Sequence, residues 1–135
     1  ISVNFVPNEY KVDFAFYSNN KRFSKINNHV CKTIITSNLI DGSADYTMDY
    51  NSLSGAFNQG CNSLIMVLKL LKGMNVKSIT LAGADGYSEE GDNYYSSNIR
   101  SYSEHGNRFN VAVSEAIHNL DVKVDFLTPS KYNII

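Results

Sequence analysis

Residues 62–87, NSLIMVLKLLKGMNVKSITLAGADGY, read as a helix, a tight turn and a strand that leaves through Gly-Ala-Asp-Gly-Tyr. Before Gly73 only Lys69 and Lys72 interrupt the run of Leu64, Ile65, Met66, Val67, Leu68, Leu70 and Leu71. A helix apolar around most of its circumference is buried on more than one side. Asn62 or Ser63 supplies the N-cap, and Gly73 with Asn75 the stop. The following residues 78–83 form a compact apolar run around Ile79 and Leu81, which predicts an inner strand covered on both faces. Helix, turn and buried strand make half of a βαβ unit, and open α/β sheets bind ligands where such strands end. Residues 83–87 and the helix start around Asn62 are therefore the first candidates for a ligand site.

Outward from this stretch, the chain of 135 residues is long enough for one domain with a real core. Hydrophobic residues make up 43% and charged residues 19%, the balance of a folded soluble domain. A net charge of -1 with interspersed signs leaves no electrostatic footprint for nucleic acid or an anionic membrane. No apolar run approaches the length of a membrane span. Cys31 and Cys61 form no CxxC pair; free buried thiols are the plain reading, with one disulfide or a metal site as the alternative. The opening ISVNFV, with neither methionine nor leader, suggests a piece cut from a longer polypeptide.

Toward the N-terminus, strands are expected at residues 2–6, where Pro7 stops the alternation, at 12–17 (VDFAFY) and at 32–37 (KTIITS). Ser18, Asn19 and Asn20 make a turn or helix cap, and residues 21–28 a short helix with Phe23 and Ile26 inward. A further strand is a candidate at 46–50. Toward the C-terminus, residues 84–103 are a polar, Tyr-rich loop, long enough to be functional or mobile. Phe109, Ala112, Val113, Ala116, Ile117 and Leu120 then carry the spacing of an amphipathic helix over 104–120. A last strand at 123–127 (KVDFL) closes on Thr-Pro-Ser. Strands alternating with helices imply one largely parallel sheet with right-handed crossovers.

Polar residues gather at the strand exits: Asn4, Ser18 with Asn19, Ser37 with Asn38, and Asp85 with Tyr87. In a parallel sheet these exits share one edge, so together they point to a ligand cleft. Turn chemistry alone also puts Ser, Asn and Asp at such places. Asp85, between Gly83 and Gly86, could bind a ribose hydroxyl or cap the following turn; the glycines allow close approach or positive φ. Neither GxGxxG nor GxxxxGK[ST] is present, which excludes the dinucleotide fingerprint and the P-loop. His105, near the start of a helix and next to Glu104, has the chemistry of a general base, although histidines near caps are commonly plain surface residues. Tyr87, Tyr94 and Tyr95 could steady a phosphate, stack on a ring, or pack the loop down.

These motifs resemble those of two families. The Ser near the helix start, VKSITLAGADGY, the Tyr-rich loop, HGN and the closing TPS resemble bacterial lipooligosaccharide sialyltransferases of glycosyltransferase family 42. The stretches ISVNFVP, VDFAFYSNNKRF, IITSN and LAGADGY look closer to the C-terminal domain of aldolases of the HMG-CoA-lyase-like, 4-hydroxy-2-oxovalerate aldolase type. The resemblance covers nearly the whole chain. It implies an α/β, Rossmann-like three-layer domain over residues 1–135 with a mainly parallel sheet, lacking its first strand and following an upstream aldolase barrel. The sialyltransferase pattern implies nucleotide contacts at Asn4 and Ser63, phosphate departure assisted by Tyr87 and Tyr94, and a catalytic His105. That pattern's arginine before the helix falls near Gly60 here, so its positive charge is missing.

The expected protein is thus a cytoplasmic, bacterial accessory domain binding a nucleotide or nucleotide-sugar, part of a lyase in surface-polysaccharide synthesis. It is not expected to be catalytic alone, nor to use a cofactor or metal; a homo-oligomer is compatible with this reading. The ligand-binding set is Asn4, Asn38, Ser63, Gly83, Asp85 and Gly86. The alternatives are a sialyltransferase-like glycosyltransferase and a structural or oligomerisation module.

Overall fold

The computed structural model describes residues 1–24, 31–39, 44–54, 62–88 and 106–132. It divides into two compact units, Ile1–Val67 and Leu68–Ile135. The described elements are mixed helices and parallel strands, an α/β architecture of Rossmann-like pairing.

In the first unit the strands are β1 (Ser2–Val3), β2 (Phe14–Tyr17), β3 (Lys32–Thr36) and β4 (Tyr46–Met48), with two short helices, α1 (Asn20–Phe23) and α2 (Tyr50–Ser54). The strands pair in the order β1-β2-β3-β4, all parallel. One face of this sheet carries Ala15, Tyr17 and Ile35, packed with Leu39, Val6, Phe23, Cys31 and Ala44. Strand alternation puts Phe16, Ile34 and Thr36 on the opposite face. β1 stops three residues sooner than its 2–6 pattern suggested. The reason is Asn4, which turns to φ 63 while its amide still donates to the Phe16 carbonyl.

The helix expected at 62–73 is α3 (Ser63–Gly73), with the division between the units falling inside it. Four consecutive residues, Ile65 to Leu68, are all buried. At 100° per residue they sweep most of the helix circumference, as the apolar run requires. Asn62 is the N-cap: its Oδ1 accepts the Leu64 amide at 2.8 Å. At the other end Asn75 adopts φ 57, and the Asn75 and Val76 amides reach back to the Lys72 and Leu71 carbonyls. This is a Schellman stop, with asparagine in the left-handed position.

The second unit holds β5 (Ser78–Leu81), α4 (Gly106–His118) and β6 (Lys123–Phe126). β5 and β6 pair in parallel, with Ile79 opposite Val124 and Leu81 opposite Phe126. Among the described residues the strands form two parallel ladders, four strands in the first unit and two in the second, where one mainly parallel sheet was expected. The expectation that residues 78–83 are covered on both faces is overturned. Ser78 and Thr80 are exposed while Ile79 is buried, because S-I-T-L alternates in polarity and so covers one face only. On α4 the apolar stripe holds: Val113 is buried, Phe109, Ala112, Ala116 and Ile117 are partly buried, and Leu120, just past the helix end, is buried as well. Among the described residues no helix is long and apolar enough to cross a membrane.

Candidate functional site

At the carboxyl edge of the four-stranded sheet, three strand exits and the start of α3 meet. Ser18, immediately after β2 and 8% exposed, places its hydroxyl 2.6 Å from that of Ser63. The Ser63 hydroxyl also lies 3.5 Å from Asn4 Oδ1, to which it donates. From the exit of β3, Asn38 Nδ2 donates to the Ser18 carbonyl at 3.2 Å. One chain of polar contacts thus runs Asn4, Ser63, Ser18, Asn38. Each member is there for a local reason: Asn4 tolerates the left-handed turn that ends β1, Ser18 and Asn38 terminate their strands, and Ser63 opens the helix that Asn62 caps.

The neighbouring exits serve the local fold. Asn19 Oδ1 caps α1 by accepting the Lys21 amide at 2.8 Å. Ser37 Oγ accepts the Tyr50 amide at 3.0 Å, and Asp49 Oδ2 accepts the Ser52 amide at 2.7 Å, so these two hold the start of α2. The Asn4–Ser18–Asn38–Ser63 chain contains no ionisable side chain. Its electrostatic character comes from the positive end of the α3 dipole and from hydroxyl and carboxamide groups.

The expected residues of the Gly-Ala-Asp-Gly-Tyr exit collect in the second unit. Gly83 and Gly86 take φ 66 and φ 85, as a turn glycine was expected to do. Thr128 bridges this loop: its Oγ1 accepts the Gly83 amide at 3.0 Å and donates to Asp85 Oδ1 at 3.2 Å. Ser130 Oγ donates to the Ala84 carbonyl at 2.5 Å, and the Lys131 amide donates to the Asp85 carbonyl at 2.9 Å. Asp85 therefore has a structural partner, while its side chain remains at the surface. Tyr87 is held by Asn110 through its backbone, and its ring lies 5.6 Å from that of Phe109.

Of the nine site residues read from the sequence, Asn4, Asn38 and Ser63 come together in one unit, and Gly83, Asp85, Gly86 and Tyr87 in the other. His105 and Tyr94 lie outside the described residues, as do Cys61 and His29. Cys31 is a free thiol, pushed up from its ordinary pKa by burial and then by the charge of Asp45. Among the described residues no cluster of His, Cys, Asp and Glu could hold a metal ion.

Sequence reasoning placed Ser18 among the strand-exit residues without giving it a role, yet it is the hub of the chain. Thr36 went unnoticed altogether. It is fully buried, and its Oγ1 has no hydrogen-bond partner. A hydroxyl directly after the buried Ile34 and Ile35, two residues before Asn38, was the available signal. The same holds for Asn110, a buried polar residue in register with Val113 and Ile117 on the covered face of α4.

Compared with known proteins, the chain matches no family model, no curated protein and no solved structure.

Proposed function

We propose that the carboxyl edge of the β1-β2-β3-β4 sheet binds a nucleotide or nucleotide-sugar, in a domain that is accessory to an aldolase of surface-polysaccharide synthesis. The observation that carries this reading is the hydrogen-bonded chain Asn4–Ser63–Ser18–Asn38, built from four separate segments at the strand exits of a parallel sheet. Such an edge, beside a helix N-terminus, is where parallel α/β sheets take phosphorylated ligands. Hydroxyls and carboxamides both donate and accept, which suits ribose, base and phosphate together. The uncharged lining makes the interaction a matter of oriented dipoles, so affinity should be modest.

The test is calorimetric titration with CMP, UMP and their sugar conjugates, repeated on Ser63→Ala and Asp85→Ala. Losing a hydrogen bond to a charged group costs about 1.5–3 kcal/mol, so Ser63→Ala should weaken binding by roughly tenfold or more. Binding retained in Asp85→Ala and weakened in Ser63→Ala would assign the ligand to the first unit; the opposite pattern would move it to the second and overturn the reading. Absence of binding by the unaltered chain would overturn the reading.

A further inference from the structure

Resting on that reading, we infer that Thr36 is a further ligand residue of the same site and donates its hydroxyl to an oxyanion, the phosphate of the nucleotide, held at the N-terminus of α3. Two independent observations meet here. The first is the helix start. The Asn62 side chain takes the Leu64 amide and its carbonyl takes the Met66 amide, so the cap uses neither the Ser63 nor the Ile65 amide. Uncapped first-turn amides and the positive dipole end favour an anion. The second is Thr36 itself, 0% exposed, with an Oγ1 that meets no partner. Buried hydroxyls are ordinarily hydrogen-bonded, and one that is not points to a missing acceptor.

Register relates the two. Tyr17 stands opposite Ile35, so continuing by one residue brings Ser18 opposite Thr36. Adjacent strands lie about 4.8 Å apart, and paired residues share a face. Thr36 is therefore the next residue across the sheet from Ser18, whose hydroxyl already touches Ser63 at the start of α3. The Ser18–Ser63 pair closes this spot in the free protein. A χ1 rotation of Ser63 would release its hydroxyl toward an incoming oxyanion, with Thr36, the neighbour of Ser18 across the sheet, as a second donor. The chemistry of the set is donor-rich: three hydroxyls and two amides.

Thr36→Val is the informative substitution, because it keeps the shape and removes only the hydroxyl. The unaltered chain, Thr36→Val and Ser63→Ala would each be titrated with CMP, inorganic phosphate and cytidine, with the melting temperature of each free protein recorded. The expected result is a fall of about tenfold in CMP and phosphate affinity for Thr36→Val, cytidine unchanged, and a melting temperature equal to or above the original. Equal CMP affinity in Thr36→Val, with Ser63→Ala still impaired, overturns this inference and leaves the nucleotide reading standing. A loss for cytidine as large as for CMP places the hydroxyl on the nucleoside and overturns the phosphate assignment. No binding of any of the three by the unaltered chain overturns both. A lowered melting temperature with unchanged affinity means that Thr36 serves packing alone, which also overturns it.

Discussion

Asn110 grips the peptide backbone of Tyr87 from both sides: its Oδ1 accepts the Tyr87 amide at 2.8 Å and its Nδ2 donates to the Tyr87 carbonyl at 2.9 Å. The side-chain amide thereby does what a neighbouring strand would do, and it does so from the buried face of α4. The loop leaving β5 is tied to a helix that starts 19 residues later in the chain than Tyr87, at Gly106. Asn110→Ala removes both contacts inside a buried region. Each buried polar group deprived of its partner costs about 1–3 kcal/mol, so a loss of about 2–4 kcal/mol is expected in urea denaturation. Asn110→Asp keeps the shape but, when ionised, has no proton to give the Tyr87 carbonyl. It should be comparably destabilised at pH 7. A loss under about 1 kcal/mol in both variants would show that the clasp is incidental.

Gly83 and Gly86 share a left-handed backbone and differ in the space around them. A Cβ on Gly83 would meet nothing within 4 Å, whereas on Gly86 it would lie 2.9 Å from Lys131 Cβ and 3.0 Å from Asn110 Oδ1. Gly83→Ala should therefore cost only the conformational strain, about 1–2 kcal/mol. Gly86→Ala carries the same strain and also pushes on the residue that clasps Tyr87. It should be clearly the worse of the two, and its effect should shrink in an Asn110→Ala background, where that clash is relieved. Thermal unfolding of the two single variants and the double variant reads this out; equal costs at both glycines would contradict the packing.

Within α3 the burial is uneven along the helix. Met66 is 0% exposed, but Leu70, one turn further on, is only partly buried. Truncating a fully buried methionine removes its transfer energy and leaves a cavity, so Met66→Ala should cost about 2–5 kcal/mol. Leu70→Ala should fall below that range, because part of its surface is already in water. The comparison is made by denaturant midpoint with the slope held common. An equal or larger cost at Leu70 would place the core one turn later than the burial does.

How far the sequence revealed this depended on periodicity. The all-round apolar helix, the amphipathic stripe of α4, the Asn62 cap and the Asn75 stop were legible because each follows from local spacing or a single cap residue. Parallel pairing was legible from the alternation of strands and helices. Which strands share a ladder was not, since pairing is decided by contacts far apart in sequence. The burial of β5 was overestimated because Ile79 and Leu81 drew more weight than the polar Ser78 and Thr80 between them. Of the apolar residues of these elements, Met66, Val67 and Ile79 are buried, while Leu64, Leu70, Leu81, Ala112, Ile117 and Phe126 are partly buried. At the candidate site, Asn4, Asn38 and Ser63 could be read because strand exits of a parallel sheet share an edge. Ser18 as hub and the orphaned Thr36 hydroxyl could not, because both depend on register between β2 and β3.

The pH dependence of stability should be set at the alkaline end by Tyr17. This residue lies on β2, is 3% exposed, and meets the ring of Phe23 edge-on at 5.8 Å. Burial, and secondarily the charge of Cys31 when that thiol ionises, push its phenol up to about 12 from the ordinary 10.0. The folded state therefore holds this proton more tightly than the unfolded chain does. Below pH 10 the phenol is protonated in both states and its contribution is fully present. As pH rises from about 10 to about 12 the unfolded chain ionises first, and stability falls through that window. Cys31, also raised by burial, acts in the same direction. Urea midpoints measured across this window should drop steeply for the original chain and less steeply for Tyr17→Phe, which keeps the ring contact and lacks the phenol. Absorbance of the folded protein should show one tyrosine titrating near 12 that disappears in the same variant. If Tyr17→Phe loses stability with the same slope, the alkaline transition belongs to other groups and burial of this hydroxyl has no part in it.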